Sequence, residues 1–230
     1  GGSRYLNKYQ NTFDFIHNNI SIMKNVFEKL NKYSKPFIFA SSQMSSMTYS
    51  PYGVPKKIGE LYSNSLNGLI VKFWNVYGIE HNMEKSHVIT DLIHKGFRNK
   101  KIDLLTDGEE QREFLHADDL GEACVFALEN WSALAENAPC DDAGQPLAFL
   151  NVGTGVDLSI HQLANRIAAT VGCNGTVERD TSKPDGTPKK QLDVSRLRSM
   201  GWTAAISLSE GLAQAYADFK QALSTNSLRG

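Results

Sequence analysis

The chain has 230 residues, enough to bury a substantial core in one large domain or in two closely packed lobes. Its formal net charge of −1 provides no bulk field that would favour nucleic acid or an anionic membrane, and no apolar run could span a bilayer. Cys124, Cys140 and Cys173 are an odd number without metal-like spacing, so we expect reduced thiols, no metal site and a cytoplasmic location.

Hydrophobic periodicity predicts alternating helices and strands in the first half of the chain. These elements are a long helix over residues 12–33, a strand at 36–41, a helix from Tyr52 to about Ser65, and a buried strand at 69–74. Strands that alternate with helices indicate a parallel, doubly wound sheet, so the predicted fold class is α/β.

The helix near Tyr52 should start irregularly, because Pro55 lacks an amide hydrogen and crowds the carbonyl one turn earlier. We expect Ser50 to cap this helix and Pro51 to be its first residue. Pro55 would then lie in roughly the first turn, where a missing amide hydrogen is tolerated.

The second half continues the alternation and ends in a capped helix. Its predicted elements are a helix at 87–97, a strand at 102–105 before an Asp107-Gly108 turn, a strand at 112–116, a helix at 118–129, a polar insertion at 131–147 with Pro139 and Pro146, a strand at 149–153, a helix from the Ser159–Gln162 capping box to about Gly172, a loop at 183–190, and a last helix capped by Ser207 and Glu210.

The residues best suited to chemistry follow the strand at 36–41. Ser41 and Ser42 close this strand, while Tyr52 and Lys56 are four residues apart and share one face of a helix. An ammonium beside a phenol lowers the tyrosine pKa from about 10 toward neutrality, which creates an acid/base for a sugar hydroxyl or ketone. A serine hydroxyl can hydrogen-bond the same oxygen, although Tyr-x-x-x-Lys by itself also occurs by chance in many helices.

Together with Ile58-Gly-Glu60 and Asn75-Val-Tyr-Gly78, these residues resemble the extended, sugar-nucleotide branch of the short-chain dehydrogenase/reductase superfamily. This branch is the NAD-dependent epimerase/dehydratase family, with a Rossmann-type sheet and a smaller substrate lobe. The resemblance implies that Tyr52 is the acid/base, that Ser42 orients the sugar oxygen, and that Ser41, Tyr52 and Lys56 contact an NADP or NAD cofactor.

The family's glycine-rich turn, which seats the dinucleotide pyrophosphate on a helix N-terminus, has no counterpart in this sequence. We therefore expect that the first third of a full-length enzyme is absent. We also expect this chain to bind the cofactor weakly or not at all.

From Ser86 onward the sequence is similar to the GDP-L-fucose synthases, which epimerise and reduce GDP-4-keto-6-deoxymannose. The matching stretches are Arg112-Glu-Phe-Leu-His-Ala-Asp-Asp119, Asn151-Val-Gly-Thr-Gly155, Lys183-Pro-Asp-Gly-Thr-Pro188 and Ser199-Met-Gly-Trp202. Ser86-His87-Val88-Ile89 matches the motif whose histidine is an epimerisation acid in that family. An imidazole titrates near neutral pH, as proton exchange beside a ketone requires, although a histidine at a helix start is also common.

That family also uses a cysteine two residues beyond the catalytic serine. Aligning Ser42 with this serine puts Met44 in the cysteine position, and aligning Ser41 puts Gln43 there. Neither side chain can exchange protons as a thiolate does, which argues against full 3,5-epimerase activity.

The candidate phosphate ligands are cationic. Arg112 could grip a diphosphate bidentately, or it could form a surface salt bridge to Glu109 or Glu110. Lys189 and Lys190 could add charge at the same nucleotide, or they could be a solvated pair. Lys95 is a weaker candidate for binding phosphate. Asn75 could hydrogen-bond the sugar or the nicotinamide end of the cofactor, or it could only form a turn at the end of its strand. The Gly153-Thr-Gly155 turn is too short for a phosphate loop, so we interpret it as a connection.

We predict that residues 1–82 and 113–152 form the remaining dinucleotide-binding domain, and that 83–112 and 153–230 form the substrate lobe. A homodimer would pair helices 12–33 and 51–65 across a two-fold axis, as the resemblance implies. The predicted function is an NAD(P)-dependent nucleotide-sugar epimerase/reductase. The alternatives are an NDP-sugar 4-epimerase or dehydratase, and a non-catalytic fragment that binds a sugar nucleotide.

Overall fold

The structure is a computed structural model that describes residues 2–47, 49–130, 140, 143–144, 148–182 and 187–229. The helices are α1 (Ser3–Tyr9), α2 (Phe13–Tyr33), α3 (Gly53–Ser65), α4 (Val88–Asn99), α5 (Ala117–Asn130), α6 (Ile160–Val171), α7 (Ser195–Ser199) and α8 (Leu208–Ser224). The strands are β1 (Ile38–Ser42), β2 (Leu69–Phe73), β3 (Asn75–Tyr77), β4 (Ile102–Asp103), β5 (Gln111–His116), β6 (Phe149–Asn151), β7 (Asp157–Ser159), β8 (Val177–Glu178) and β9 (Lys189–Lys190).

The sheet that carries the candidate site is parallel, with strand order β1-β2-β6. Ser42 lies opposite Phe73, and Lys72 lies opposite Asn151. After Trp74 the chain continues as β3, which pairs in parallel with β5 in a second sheet. The predicted α/β class with parallel strands is therefore confirmed, and the carboxyl ends of β1 and β2 lie side by side.

The second sheet corrects the loop predicted at 183–190. Lys189 and Lys190 form β9, which runs parallel to β5 and sets Lys190 opposite Arg112. The same residues of β5 also pair with β7, which runs antiparallel and sets Leu158 opposite Arg112. Residues 183–186, and most of the insertion predicted at 131–147 with Pro139 and Pro146, lie outside the described residues.

Two hydrophobic clusters hold the elements together. One cluster joins α4, α6 and α8, with fully buried Ile93, Leu163 and Leu212 near its centre. The other joins β2, β6 and α5 around Val71 and Leu150. Within the described part of the chain, no helix combines the length and apolar composition needed to cross a membrane.

Local caps fix several helix ends where the sequence predicted them. Ser159 with Gln162, and Ser207 with Glu210, form reciprocal capping boxes at the starts of α6 and α8. Thr12 caps α2 by accepting a hydrogen bond from the Phe15 amide at 3.3 Å. These contacts confirm the predicted starts of all three helices.

The start of α3 is irregular, as predicted, but its first residue is Gly53 and not Pro51. The Gly53 amide donates to the Ser50 hydroxyl at 3.1 Å, and the Val54 amide donates to the Ser50 carbonyl at 2.9 Å. Pro55 thus lies in the first turn, where its missing amide hydrogen leaves no helical bond unmade. A side chain on Gly53 would collide with the Met44 carbonyl, at 2.2 Å, so only glycine permits this close approach.

Candidate active site

Ser42 and Tyr52 meet at the carboxyl end of β1. The buried Ser42 hydroxyl lies near the Tyr52 phenol, and its interaction with the phenol partly offsets the rise in the pKa of Tyr52 that burial causes. The backbone amide of Met44 donates to the same serine oxygen at 3.2 Å, so the serine proton is left for the phenol. The structure therefore joins the serine and the tyrosine that the sequence singled out.

Lys56 lies one turn after Tyr52, but the predicted lowering of the tyrosine pKa is wrong. The Lys56 ammonium donates to the Ala40 carbonyl at 2.8 Å and lies 5.8 Å from the centroid of the Tyr52 ring. Burial raises the pKa of Tyr52, and the hydrogen bond from Ser42 offsets only part of this shift. Burial also lowers the pKa of Lys56, because desolvation disfavours the charged ammonium. Spacing alone could not reveal that the Ala40 carbonyl holds the ammonium.

Ser41 belongs to a buried network that the sequence analysis missed. Its hydroxyl donates to Glu60 Oε1 at 2.6 Å, and the Lys72 ammonium lies 3.0 Å from the same oxygen. Burial opposes ionisation of Glu60, yet hydrogen bonds from Ser41, Ser45 and Lys72 outweigh it and hold the pKa of Glu60 below its usual value. Because the Ser41 hydroxyl is occupied inside the protein, its predicted contact with the cofactor is not supported.

A signal for Glu60 was present in the sequence, since it follows Lys56 by four residues and shares its side of α3. No comparable signal pointed to Lys72, which β2 contributes from the neighbouring strand. The network ties β1, α3, β2 and the 3₁₀ turn Gln43–Ser46 to one another, directly behind Ser42.

Ser42 is the better candidate for the serine of the site, because its hydroxyl interacts with Tyr52 whereas the Ser41 hydroxyl donates to Glu60. Met44 therefore occupies the position two residues beyond the serine. Gln43, the other candidate, donates from its side-chain amide to Asn151 Oδ1 at 2.7 Å. A thioether has no proton to exchange, so this position cannot act as an acid or base.

His87 forms a close pair with Glu80, a residue that the sequence analysis did not single out. The imidazole Nδ1 lies 2.5 Å from Glu80 Oε1, and the His87 backbone amide donates to Glu80 Oε2 at 2.8 Å. Burial opposes ionisation of Glu80, but hydrogen bonds from His87 and Thr90 outweigh it and hold the pKa of Glu80 below its usual value. His87 is the residue before α4, and its side chain is 41% exposed.

Arg112 and Lys190 are adjacent cations on the paired strands β5 and β9. The Arg112 guanidinium donates to the carbonyls of Gln111 and Thr187, both at 2.7 Å. Burial and the Arg112 charge together lower the pKa of Lys190, whose ammonium lies 5.0 Å from the centroid of the Trp74 ring. Such a cationic pair is stabilised by an anion, as a diphosphate ligand would supply.

The other predicted ligands are engaged with the protein. The exposed Lys189 pairs with Asp157 at 3.2 Å. The Asn75 amide donates to the Glu113 carbonyl at 2.9 Å. Lys95 donates to the Asp103 carbonyl at 2.8 Å and lies 3.5 Å from Asp91, which favours a structural role over phosphate binding.

The turn at Gly153-Thr-Gly155 is a connection, as predicted. The buried Glu113 carboxylate accepts from the amides of Thr154 at 2.7 Å and Gly155 at 3.3 Å, while its other oxygen accepts from the Leu192 amide at 3.0 Å. Because Glu113 already accepts from the amides of Thr154 and Gly155, the turn does not offer these two amides to a phosphate. Glu113 is a second buried carboxylate that the sequence did not reveal.

A cleft of about 440 Å³ lies beside β7 and the start of α8. Gly153 and Thr154 line it, but none of the predicted catalytic residues or cationic phosphate ligands does. Phe114, Arg198 and Trp202 are among its walls. Among the residues that the structure describes, no group of three or more His, Cys, Asp or Glu side chains could hold a metal ion.

Residues 3–138 match the profile of the NAD dependent epimerase/dehydratase family. The GDP-L-fucose synthase of Escherichia coli K12 is 38% identical over 182 residues, a match that covers 74% of this chain and 56% of the relative. The putative GDP-L-fucose synthase 2 of Arabidopsis thaliana is 40% identical over 149 residues, 62% of this chain and 42% of the relative. The chain therefore spans about half the length of these curated relatives.

Solved structures share the fold at low identity. A GDP-6-OMe-4-keto-L-xylo-heptose reductase from Campylobacter jejuni has a TM-score of 0.78 at 22% identity, covering 90% of this chain and 77% of that one. A UDP-glucose 4-epimerase from Thermotoga maritima, solved with UDP-glucose, has a TM-score of 0.78 at 21% identity, covering 96% and 75%. These likenesses establish a Rossmann-like fold. Because the family profile matches more than half of the chain, the chain belongs to the NAD-dependent epimerase/dehydratase family.

Proposed function

We propose that this protein is an NAD(P)-dependent nucleotide-sugar oxidoreductase that reduces a 4-keto sugar, in the manner of the GDP-L-fucose synthases it resembles. The observation that carries the proposal is the proximity of the buried Ser42 hydroxyl to the Tyr52 phenol, with Lys56 one turn away. A GDP-linked substrate is supported by the sequence identity to relatives that are named GDP-L-fucose synthases.

The raised pKa of Tyr52 suits reduction. A phenol that stays protonated at neutral pH can donate its proton to the oxygen of a sugar ketone as that oxygen gains charge. Ser42 would hydrogen-bond the same oxygen and hold it beside the phenol, because its own position is fixed by the Met44 amide. Tyr52 would therefore act as general acid and Ser42 as the orienting donor.

The cofactor would be NADP or NAD, which supplies the hydride when it is bound. Within this chain, Tyr52 and Lys56 fit its nicotinamide end, because the partly buried Lys56 ammonium and the Tyr52 phenol lie on one side of α3. Ser41 does not fit, since its hydroxyl is bound to Glu60.

The nucleotide diphosphate would bind at Arg112 and Lys190, with Lys189 adding charge at the rim. Two features support this assignment: Arg112 and Lys190 lie opposite each other on paired strands, and Trp74 offers an aromatic face beside Lys190. Glu109 and Glu110, the alternative partners considered for Arg112, contact Arg179 and Thr106 respectively.

Met44 favours reduction over 3,5-epimerisation. Inverting a carbon beside a ketone requires proton removal and return on opposite faces, and thus two exchanging groups. With Met44 in the cysteine position, His87 is the exchanging group that remains of the pair known from the resembling family. We therefore propose that reduction is the main reaction and that His87 supports proton exchange on one face.

The proposed dimer would use α2 and α3, which carry large exposed apolar side chains. Ile22 is 65% exposed and Val26 is 49% exposed on α2, and Leu61 is 58% exposed on α3. Apolar patches of this kind often mark protein interfaces. The proposed division into a dinucleotide domain at 1–82 and 113–152 and a substrate lobe at 83–112 and 153–230 is supported by the two hydrophobic clusters. We also propose a cytoplasmic location.

The test incubates the protein with a 4-keto GDP-sugar and NADPH and follows both NADPH and sugar. A reductase consumes one NADPH for each ketone reduced, whereas a 4-epimerase returns the hydride to the same sugar and consumes none. Calorimetric titration with NADPH alone separates the enzyme from a non-catalytic binding fragment, because strong 1:1 binding would exclude the fragment. NADPH is supplied in large excess because we expect this chain to bind the cofactor weakly, and absence of NADPH consumption under these conditions would overturn the proposal.

A further inference from the structure

The pair formed by Glu80 and His87 has a geometry that restricts the imidazole. Glu80 lies three residues beyond β3, and His87 immediately precedes α4, so both flank the polar loop that follows the strand. One carboxylate oxygen accepts the His87 backbone amide at 2.8 Å, and the other lies 2.5 Å from Nδ1 of the ring. Glu80 thus contacts both the backbone amide and the ring of His87, which fixes the orientation of the imidazole.

The carboxylate also determines which ring nitrogen carries the proton. Glu80 is ionised at neutral pH, because hydrogen bonds from His87 and the buried Thr90 hold its pKa low despite burial. An ionised carboxylate can only accept hydrogen bonds, so Nδ1 must be the donor. In the neutral imidazole, Nε2 then carries the lone pair. Among the described residues no hydrogen bond to Nε2 is found, and 41% of the side chain is exposed.

We propose that Glu80 is a positioning residue that holds neutral His87 in the Nδ1-protonated tautomer, with Nε2 presented as a proton acceptor toward a carbon acid beside the substrate ketone. In this step Nε2 takes the proton, the electron pair of the broken C–H bond becomes an enolate on the ketone oxygen, and the imidazolium is neutralised by Glu80. Return of the proton from Nε2 restores the ketone. This catalytic consequence rests on the proposed function, whereas the tautomer does not.

The tautomer is tested by long-range ¹H–¹⁵N NMR of the histidine rings, at about two pH units above the reference imidazole pKa near 6.5. The His87 signals are assigned by their loss in His87→Gln. We expect a protonated Nδ1 and an unprotonated Nε2 in the natural sequence, and loss of this fixed state in Glu80→Gln, because an amide can donate as well as accept. Glu84→Gln is the matched control, since Glu84 lies in the same loop and contacts Lys8 and Tyr9 instead. A His87 ring protonated mainly at Nε2, or mixed as in free histidine, would overturn the inference, and this outcome does not depend on Glu80→Gln being folded.

The catalytic arm measures deuterium incorporation from D₂O at carbons beside the ketone of a 4-keto GDP-sugar. We expect Glu80→Gln to slow this exchange at least about tenfold more than it slows NADPH oxidation, since a carboxylate that sets a histidine tautomer can contribute far more than this. Equal slowing of both would reduce Glu80 to a structural role and overturn the positioning claim. Absence of exchange in the natural sequence would overturn the proposed proton-exchange role of His87, while the NMR result would still decide the tautomer.

Discussion

The buried pair of Glu60 and Lys72 offers the sharpest prediction about stability. Replacing Lys72 by methionine keeps the length of the side chain but removes the ammonium that lies 3.0 Å from Glu60 Oε1. Glu60 is only 4% exposed, so its charge would remain in a poorly solvated place. Removing one partner of a buried ion pair costs about 3–5 kcal/mol. Because Ser41, Ser45 and Lys57 still contact Glu60, we expect the lower end, about 3 kcal/mol.

The pH dependence of this loss follows from the direction of the Glu60 shift. The folded-state pKa of Glu60 is below its reference value of 4.5, so its stabilisation is complete above pH 4.5 and is lost as the pH falls through the lower folded-state pKa. In Lys72→Met, burial is less well compensated and the pKa of Glu60 should rise. The difference between the two proteins should therefore be largest near pH 7 and shrink below about pH 4.5, since a protonated Glu60 needs no cation.

The assay is urea denaturation at several pH values, with Glu28→Gln as the matched control. Glu28 pairs with Lys24 at 3.7 Å on the exposed surface of α2, where a salt bridge contributes about 0–1 kcal/mol. Two results would refute this reasoning: a Lys72→Met protein that is no less stable at pH 7 than Glu28→Gln, or a loss of unfolding free energy in Lys72→Met that grows as the pH falls. Either result would mean that the network does not hold an ionised Glu60.

Three further predictions concern packing, ligand binding and assembly. Gly211→Ala should lower the stability of the protein by about 1–3 kcal/mol in thermal unfolding, because the new methyl would lie 2.0 Å from the Tyr77 hydroxyl. The control is Gly121→Ala in α5, whose methyl meets nothing within 4 Å and should raise the stability by about 0.5–1 kcal/mol. The reverse order of the two stabilities would contradict the packing of α8 on β3. Arg112→Met should weaken GDP binding in calorimetry about tenfold, or about 1.4 kcal/mol, with the exposed Arg98→Met as control; equal affinities would remove Arg112 from the diphosphate site. Val26→Asp should shift the protein from dimer to monomer in analytical ultracentrifugation. Val125→Asp should leave the dimer intact, because Val125 is similarly exposed but lies on α5. A dimer that survives Val26→Asp would place the interface elsewhere.

Elements with local signals were predictable from the sequence. The capping boxes at Ser159 and Ser207 and the cap at Thr12 act within one turn, so their residue types and spacing suffice to place the helix starts. Ser42 and Tyr52 could be singled out from the Ser-Ser and Tyr-x-x-x-Lys spacing and from the family resemblance, and their catalytic roles stay predictions. The α/β class followed from the same alternation.

Elements that depend on distant partners were not predictable. The strand β9 exists because β5 offers it an edge, and α1 packs where Arg4 reaches Asp91 and Lys8 reaches Glu84. The isolated carboxylates Glu80 and Glu113 carry no spacing signal, since their partners are backbone amides or a ring brought near by the fold.

The direction of the Tyr52 shift was also beyond the sequence, because it depends on which acceptor the Lys56 ammonium reaches. The spacing of Tyr52 and Lys56 predicted that they share one side of a helix. Whether the ammonium faces the phenol oxygen or the Ala40 carbonyl depends on how β1 packs against α3. Burial then decides the sign of the shift.

The most direct test of the central claim is the rate of NADPH oxidation with a 4-keto GDP-sugar, with NADPH in large excess, for the natural sequence, Tyr52→Phe and Tyr62→Phe. Tyr62 is the control because it lies on the same helix and stacks on Phe27, at 4.9 Å between ring centroids. If Tyr52 donates the proton to the ketone, Tyr52→Phe should lose about 10²–10⁴-fold in rate while Tyr62→Phe retains activity. Undiminished oxidation by Tyr52→Phe, or none by the natural sequence, would contradict the claim.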